Sequence, residues 1–269
     1  MFYIATVTII FIIMLGVYVT KYRGLPIDVY KPDMAWTRAL IYFSFCNIVS
    51  AATGTLETLL NQPIATNEQL NDPIWITFCI FCFTYIFLAY WILWARMTLT
   101  FDRKYYIGSE IVFGLFWGIS TGQLLLSFYH LWNMTSLPKW TIYLCSYVSM
   151  GAWQYFIQDY FWDIKVSPEH DTPRSIIIKT VVSHIPNVAI CLLFLVFYNN
   201  YLIFIATQTF ALIATSIFQK FPAPWAKEDF HAPMVKPGLF GFPRAAGYLG
   251  ENDKTSRKQL TNGNQLNGR

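Results

Sequence analysis

Glu110, Asp159 and His184 are the side chains best placed to move a proton, because each is titratable and each stands inside a long apolar stretch. Such groups are costly at membrane depth and usually face a cavity or a partner helix. Glu110, Trp117 and Thr121, spaced by seven and four, fall near one helical face. Gly118, beside Trp117, lets a neighbouring helix or a ligand approach closely. Gln154 and Gln158 are four apart, as are Asp159 and Asp163, so amides and carboxylates each stack along a helix face. His184 and Asn187 share a face around Pro186, whose missing donor predicts a kink.

These types suit double-bond migration or cyclisation of an isoprenoid. That chemistry needs a proton donor, a cation-tolerant aromatic cavity and a base for a different proton. A carboxylic acid withdrawn from water keeps its proton near neutral pH, and aromatic faces stabilise a passing carbocation. Glu110 or Asp159 would serve as acid, with His184 or the other carboxylate as base. Trp117, Tyr155 and Trp162 would line the chamber, and Gln123, Gln154, Gln158 and Asn187 would bind substrate. No metal or cofactor is required. Each residue also has a plainer reading: Glu110 paired with Arg103 or Lys104, His184 as a hydrogen-bond partner, and the amides as links between helices.

The elements that must position them are membrane spans. The chain is 55% hydrophobic and 13% charged, with a mean hydropathy of +0.39, against about 25% charged residues in soluble domains. Seven apolar stretches approach or exceed the ~20 residues that cross a bilayer as a helix. They read as Phe2–Thr20, Trp36–Leu59, Ile74–Met97, Tyr106–Leu131, Trp140–Trp162, Ile176–Phe197 and Tyr201–Gln219. The expected fold is therefore an all-α bundle of seven transmembrane helices over residues 1–225. Residues 226–250 read as a membrane-surface segment and 251–269 as a disordered polar tail.

Basic residues fall on every second loop: Lys21, Arg23 and Lys31, then Arg96, Arg103 and Lys104, then Lys165 and Arg174, then Lys220 and Lys227. The positive-inside rule then places the amino terminus outside or lumenal and the carboxyl tail in the cytoplasm. The membrane would be the endoplasmic reticulum in a eukaryote and the inner or plasma membrane in a prokaryote. The net charge of +4 reflects that topology rather than nucleic-acid binding. Partners are a hydrophobic small molecule or lipid and the surrounding lipids, with no oligomeric state implied. The pair Cys79 and Cys82 lacks the further ligands a zinc site needs, so the thiols read as packing residues. The sequon at Asn133 sits against the membrane and is expected to be unused. The seventh stretch has no mid-membrane lysine for a retinal Schiff base, and no Gly/Pro-broken helices are apparent in matching halves.

Part of the second half resembles the emopamil-binding, sterol-isomerase-like (EXPERA-domain) family. Glu110 precedes Trp117-Gly118 by seven residues, as a glutamate precedes Trp-Gly in one family span. Ser149-Met-Gly151, leading to Gln154, Gln158, Asp159 and Tyr160, is similar to the next, with shifted spacing. Val196-Phe-Tyr-Asn199 matches an aromatic run with an asparagine in a later one. The early histidine and glutamate of the family have no full counterpart, since the second stretch ends at Glu57 without a histidine. The resemblance implies a membrane enzyme that shifts a double bond in a sterol-like lipid. A non-enzymatic transporter, receptor-like or lipid-binding bundle is the competing class.

Overall fold

The computed structural model describes residues 2–24, 31–95, 105–158, 177, 180–221 and 223–226. Apolar runs of this length close all their backbone hydrogen bonds internally only as helices, and helices carry the described chain. They are α1 (Phe2–Lys21), α2 (Pro32–Ala52), α3 (Thr55–Asn61), α4 (Asn67–Leu70) and α5 (Pro73–Ile86), which widens into π-helical turns over Phe87–Trp94. Then follow α6 (Ile107–Asn133), α7 (Lys139–Trp153), π-helical turns over Thr180–His184 leading into α8 (Ile185–Tyr198), and α9 (Tyr201–Phe218). After Trp153 the chain stays π-helical through Gln158, where this described stretch ends. Five helices are long and apolar enough to cross a membrane, and six if α2 and α3 form one broken span. The chain fits a multi-pass integral membrane protein.

The second stretch is not the continuous helix expected over Trp36–Leu59. It turns by 87° between α2 and α3. Two residues cause the break. Gly54 takes a left-handed backbone at φ +79, which a residue without Cβ adopts freely. Thr53 turns its hydroxyl back onto the Val49 and Ser50 carbonyls and pairs with Thr55 Oγ1 at 2.8 Å, a local bonding that competes with helix continuation. Glu57, expected near the outer end of that span, lies on α3 and is exposed.

Other ends follow their sequence. Asp72 caps α5 by accepting from Ile74 N at 2.9 Å, with Pro73 in the first turn. Asn199 adopts φ 54 and closes α8, and Asn200 accepts from Trp75 Nε1 at 2.8 Å. The expected distortion at Pro186 takes the form of π turns just upstream, because proline removes a donor and crowds the preceding turn.

α6 is the mast of the bundle. Along it Gly114, Gly118 and Gly122 form a four-residue repeat pressed on Ile213, Thr209 and Ile205 of the antiparallel α9. A Cβ on Gly114 would meet Ile213 Cα at 2.6 Å, and one on Gly118 would meet Thr209 Cα closer still. Small residues at this spacing let two membrane helices touch backbone to backbone. Large apolar side chains such as Ile12, Ile80, Phe81, Leu144 and Val181 point outward, as lipid contact requires.

Candidate functional site

Two groups of buried polar side chains emerge, and the expected site residues are divided between them. The first lies where α2, α6 and the end of α7 meet. Glu110 sits in the first turn of α6 with its carboxyl wholly buried. Its Oε1 accepts from Tyr106 N at 3.2 Å, while Oε2 has no hydrogen-bond partner among the described residues. Lys220, whose ammonium lies 4.5 Å from the Tyr105 ring centroid, is within electrostatic reach of that carboxyl. The alternative partners Arg103 and Lys104 lie outside the described residues.

An aromatic stack begins one turn above Glu110. Phe221 stacks on Phe113 at 4.1 Å, Phe113 on Trp117 at 5.8 Å, and Trp117 tilts against Tyr42 at 5.3 Å. Trp36 meets the edge of Phe113 at 5.2 Å. The far end of the stack is polar: Gln158 Nε2 donates to Thr121 Oγ1 at 2.8 Å and to Tyr42 OH at 3.3 Å. Trp117 and Gln158 thus belong to one chain of contacts, and Glu110 precedes Phe113 by three residues on the same helix. Gln154 is buried one turn before Gln158, and Tyr155 is half-buried with its ring on Phe156. Gln123 stands farther along α6, where its Nε2 donates to Asn47 Oδ1 at 3.1 Å. Asp159 and Trp162 lie outside the described residues.

The second group belongs to α5, α8 and α9. His184 Nδ1 pairs with Tyr90 OH at 2.8 Å. Asn187 Nδ2 donates to Gln208 Oε1 at 3.2 Å, and Cys191 Sγ donates to Asn187 Oδ1 at the same distance. No hydrogen bond joins Glu110 to His184 among the described residues. Nor is there a group of three histidine, cysteine or acidic side chains that could hold a metal ion among them.

Several participants were not singled out from sequence. Tyr42, Asn47, Phe113 and Phe221 build the first group, and Tyr90 completes the second. The available signal was the polar spacing of Arg38, Tyr42, Ser44, Asn47 and Ser50 through an apolar stretch, which marks a face turned inward. Phe221, beyond the last helix, offers no such periodicity.

No protein-family model, no curated protein and no solved structure significantly matches the chain.

Proposed function

We propose that this is a membrane enzyme that moves a proton on an isoprenoid or sterol-like lipid, migrating a double bond or closing a ring. One observation carries the reading: a fully buried carboxyl with one unpartnered oxygen, at the foot of a four-ring stack. Protonated Glu110 gives its proton to an alkene carbon, leaving a carboxylate and a carbocation. The ring faces of Trp117 and Tyr42 stabilise that cation. Loss of a neighbouring proton to a base then forms the new double bond, and the cycle closes when that base gives its proton to solvent and Glu110 takes one back. Asp159, which lies outside the described residues, is the remaining carboxylate the sequence offers as base. His184 belongs to the other polar group. The EXPERA resemblance rests on the same Glu110 and Trp117-Gly118 residues and points to the same chemistry.

The seven-span topology, with the amino terminus outside, belongs to this reading. The orientation rests on the basic loops alone, and the alternation is supported by the direction of the packed pairs. α1 opposes α2, α2 runs parallel to α6, α6 opposes α7 and α9, α8 opposes α5 and α7, and α5 runs parallel to α9. Seven successive crossings give each of these relations.

The test is conversion of sterol and polyprenyl substrates by purified protein in detergent, in D2O. Deuterium entering product carbon, and lost in Glu110→Gln, supports the proposal; wild-type turnover in Glu110→Gln and Asp159→Asn removes it. A non-enzymatic transporter or lipid-binding bundle is the second reading. It is favoured by the buried amides that bond helix to helix at Asn47–Gln123 and Asn187–Gln208. Solute flux in proteoliposomes that depends on a gradient, with no lipid conversion in detergent, would select it.

A further inference from the structure

α2 and α6 run side by side in a steady parallel register. Trp36 faces Phe113, Tyr42 faces Trp117, Asn47 bonds Gln123, and Gly54 lies under the His130 ring, whose Nε2 is 3.5 Å from where a Gly54 Cβ would stand. Below Tyr42 the seam is aromatic. Above it the seam is polar: Ser44, Asn47 and Ser50 recur on one face of α2, and the register sets them level with Ser120, Gln123 and Ser127.

Three side-chain oxygens on this seam, Ser44 Oγ, Ser50 Oγ and Gln123 Oε1, are buried without a hydrogen-bond partner among the described residues. Their residues are between 0% and 4% exposed. Hydroxyls in apolar helices ordinarily bond back to their own carbonyls. Ser127 and Ser149 do so at 2.9 and 2.8 Å, and Ser120 does so too. Ser44 and Ser50 do not, although such a bond would satisfy them. Other unpartnered hydroxyls lie at Ser146 on α7, at Ser183 ahead of α8 and at Thr209 and Ser216 on α9; here three oxygens from two helices fall within two turns.

The seam ends at the helix break. There the backbone ladder stops with Thr53 N on Val49 O and Gly54 N on Ala51 O, and resumes with Thr58 N on Gly54 O. Broken membrane helices that offer freed carbonyls next to neutral side-chain oxygens hold cations in transporters. Hard cations take oxygen ligands, and a set of hydroxyls and amides without a carboxylate balances one positive charge rather than two.

We propose that the outer half of the α2–α6 seam is a binding site for a monovalent alkali cation, held by Gln123 Oε1 and Ser50 Oγ, with Ser44 bounding it from below and the Thr53–Gly54 break closing it above. This inference is independent of the role given to Glu110. It is tested by the thermal midpoint of the purified full-length protein in detergent. LiCl, NaCl or KCl is titrated against choline chloride at constant ionic strength, because a ligand that binds only the folded state raises the midpoint. The expected result is a saturable rise over choline with at least one of the three salts. Ser50→Ala should weaken the half-saturating concentration at least tenfold, and Gln123→Leu should abolish the rise. Ser146→Ala, an unpartnered serine away from the seam, should leave it unchanged. Equilibrium binding of radioactive Na+ gives the same comparison without unfolding the protein. Coincident midpoints in all four salts together with no saturable Na+ binding, or a cation response intact in both seam variants, would overturn the proposal.

Discussion

Glu110 has more burial than any plain ion-pair role needs, and Gln158 has more partners than a helix spacer needs. If Glu110 donates the proton, Glu110→Gln keeps its size and its acceptor oxygen for Tyr106 N but removes the acid. Turnover should fall by about 10²–10⁴, the usual worth of a general acid, while the thermal midpoint in detergent moves little. Tyr42→Phe tests the far end of the stack. It removes the acceptor of the longer Gln158 bond and keeps the ring, so turnover should fall by no more than about tenfold if the ring face is what matters. Loss comparable to Glu110→Gln would make the hydroxyl itself part of the proton path. The sequence exposed these residues unevenly. Glu110, Trp117 and Gln158 were legible because a charge or amide in an apolar run is costly and must be used. Their neighbours Phe113 and Phe221 were not: phenylalanine in a membrane span looks the same whether it faces lipid or a site, and Phe221 lies past the last helix where no periodicity marks a face. His184 was grouped with Glu110 because chemistry joined them, and only packing could assign it to Tyr90.

Among the elements, the α6–α9 pair is the closest backbone contact described by the glycines. Gly118→Ala places a methyl against the Thr209 backbone, which cannot swing away as a side-chain tip can. Overpacking of this kind costs about 1–3 kcal/mol. The thermal midpoint should therefore drop by several degrees, and Gly114→Ala should behave likewise. Gly151→Ala and Gly16→Ala meet nothing within 4 Å and should leave the midpoint unchanged or raise it slightly. Gly54→Ala acts by another route. Its space is adequate but its backbone is left-handed, which costs a non-glycine residue about 1–2 kcal/mol. Equal midpoints for Gly118→Ala and Gly151→Ala would contradict the close packing. Hydropathy located the five helices long and apolar enough to cross a membrane to within a few residues, because such a helix must be apolar along its whole length. It did not locate the bend at Thr53–Gly54, because Ala-Ala-Thr-Gly-Thr stays nearly neutral in hydropathy and the break arises from one glycine dihedral and one hydroxyl. Gly118 was legible as a site of close approach, but its partner became visible only once α9 lay against it.

At the scale of the whole molecule, the charge pattern of the loops and the directions of packed helices are independent, and both bear on topology. Charge alternation depends on residues outside the helices, several of them beyond the described stretches. Packing direction depends on contacts between helices far apart in sequence, such as Trp75 with Asn200 and Tyr3 with Asn47. If seven crossings alternate, the loop that holds α4 and the loop between α6 and α7 share one side, and the loops after α5 and α9 share the other. The five native cysteines all lie within the apolar stretches, so single cysteines can be added at loop sites. Asn67→Cys and Ser136→Cys should react with a membrane-impermeant thiol reagent on intact bacterial host cells. Lys104→Cys and Lys227→Cys should react only after permeabilisation, because basic loops stay on the cytoplasmic side. Labelling of all four in the opposite sense would reverse the orientation, or leave the amino terminus outside with the bent α2–α3 unit entering and leaving the membrane on one face. Labelling of Lys227→Cys on intact cells, with the other three as expected, would break the alternation itself: the run from Lys139 to Gln158 would then enter and leave the membrane on the same face.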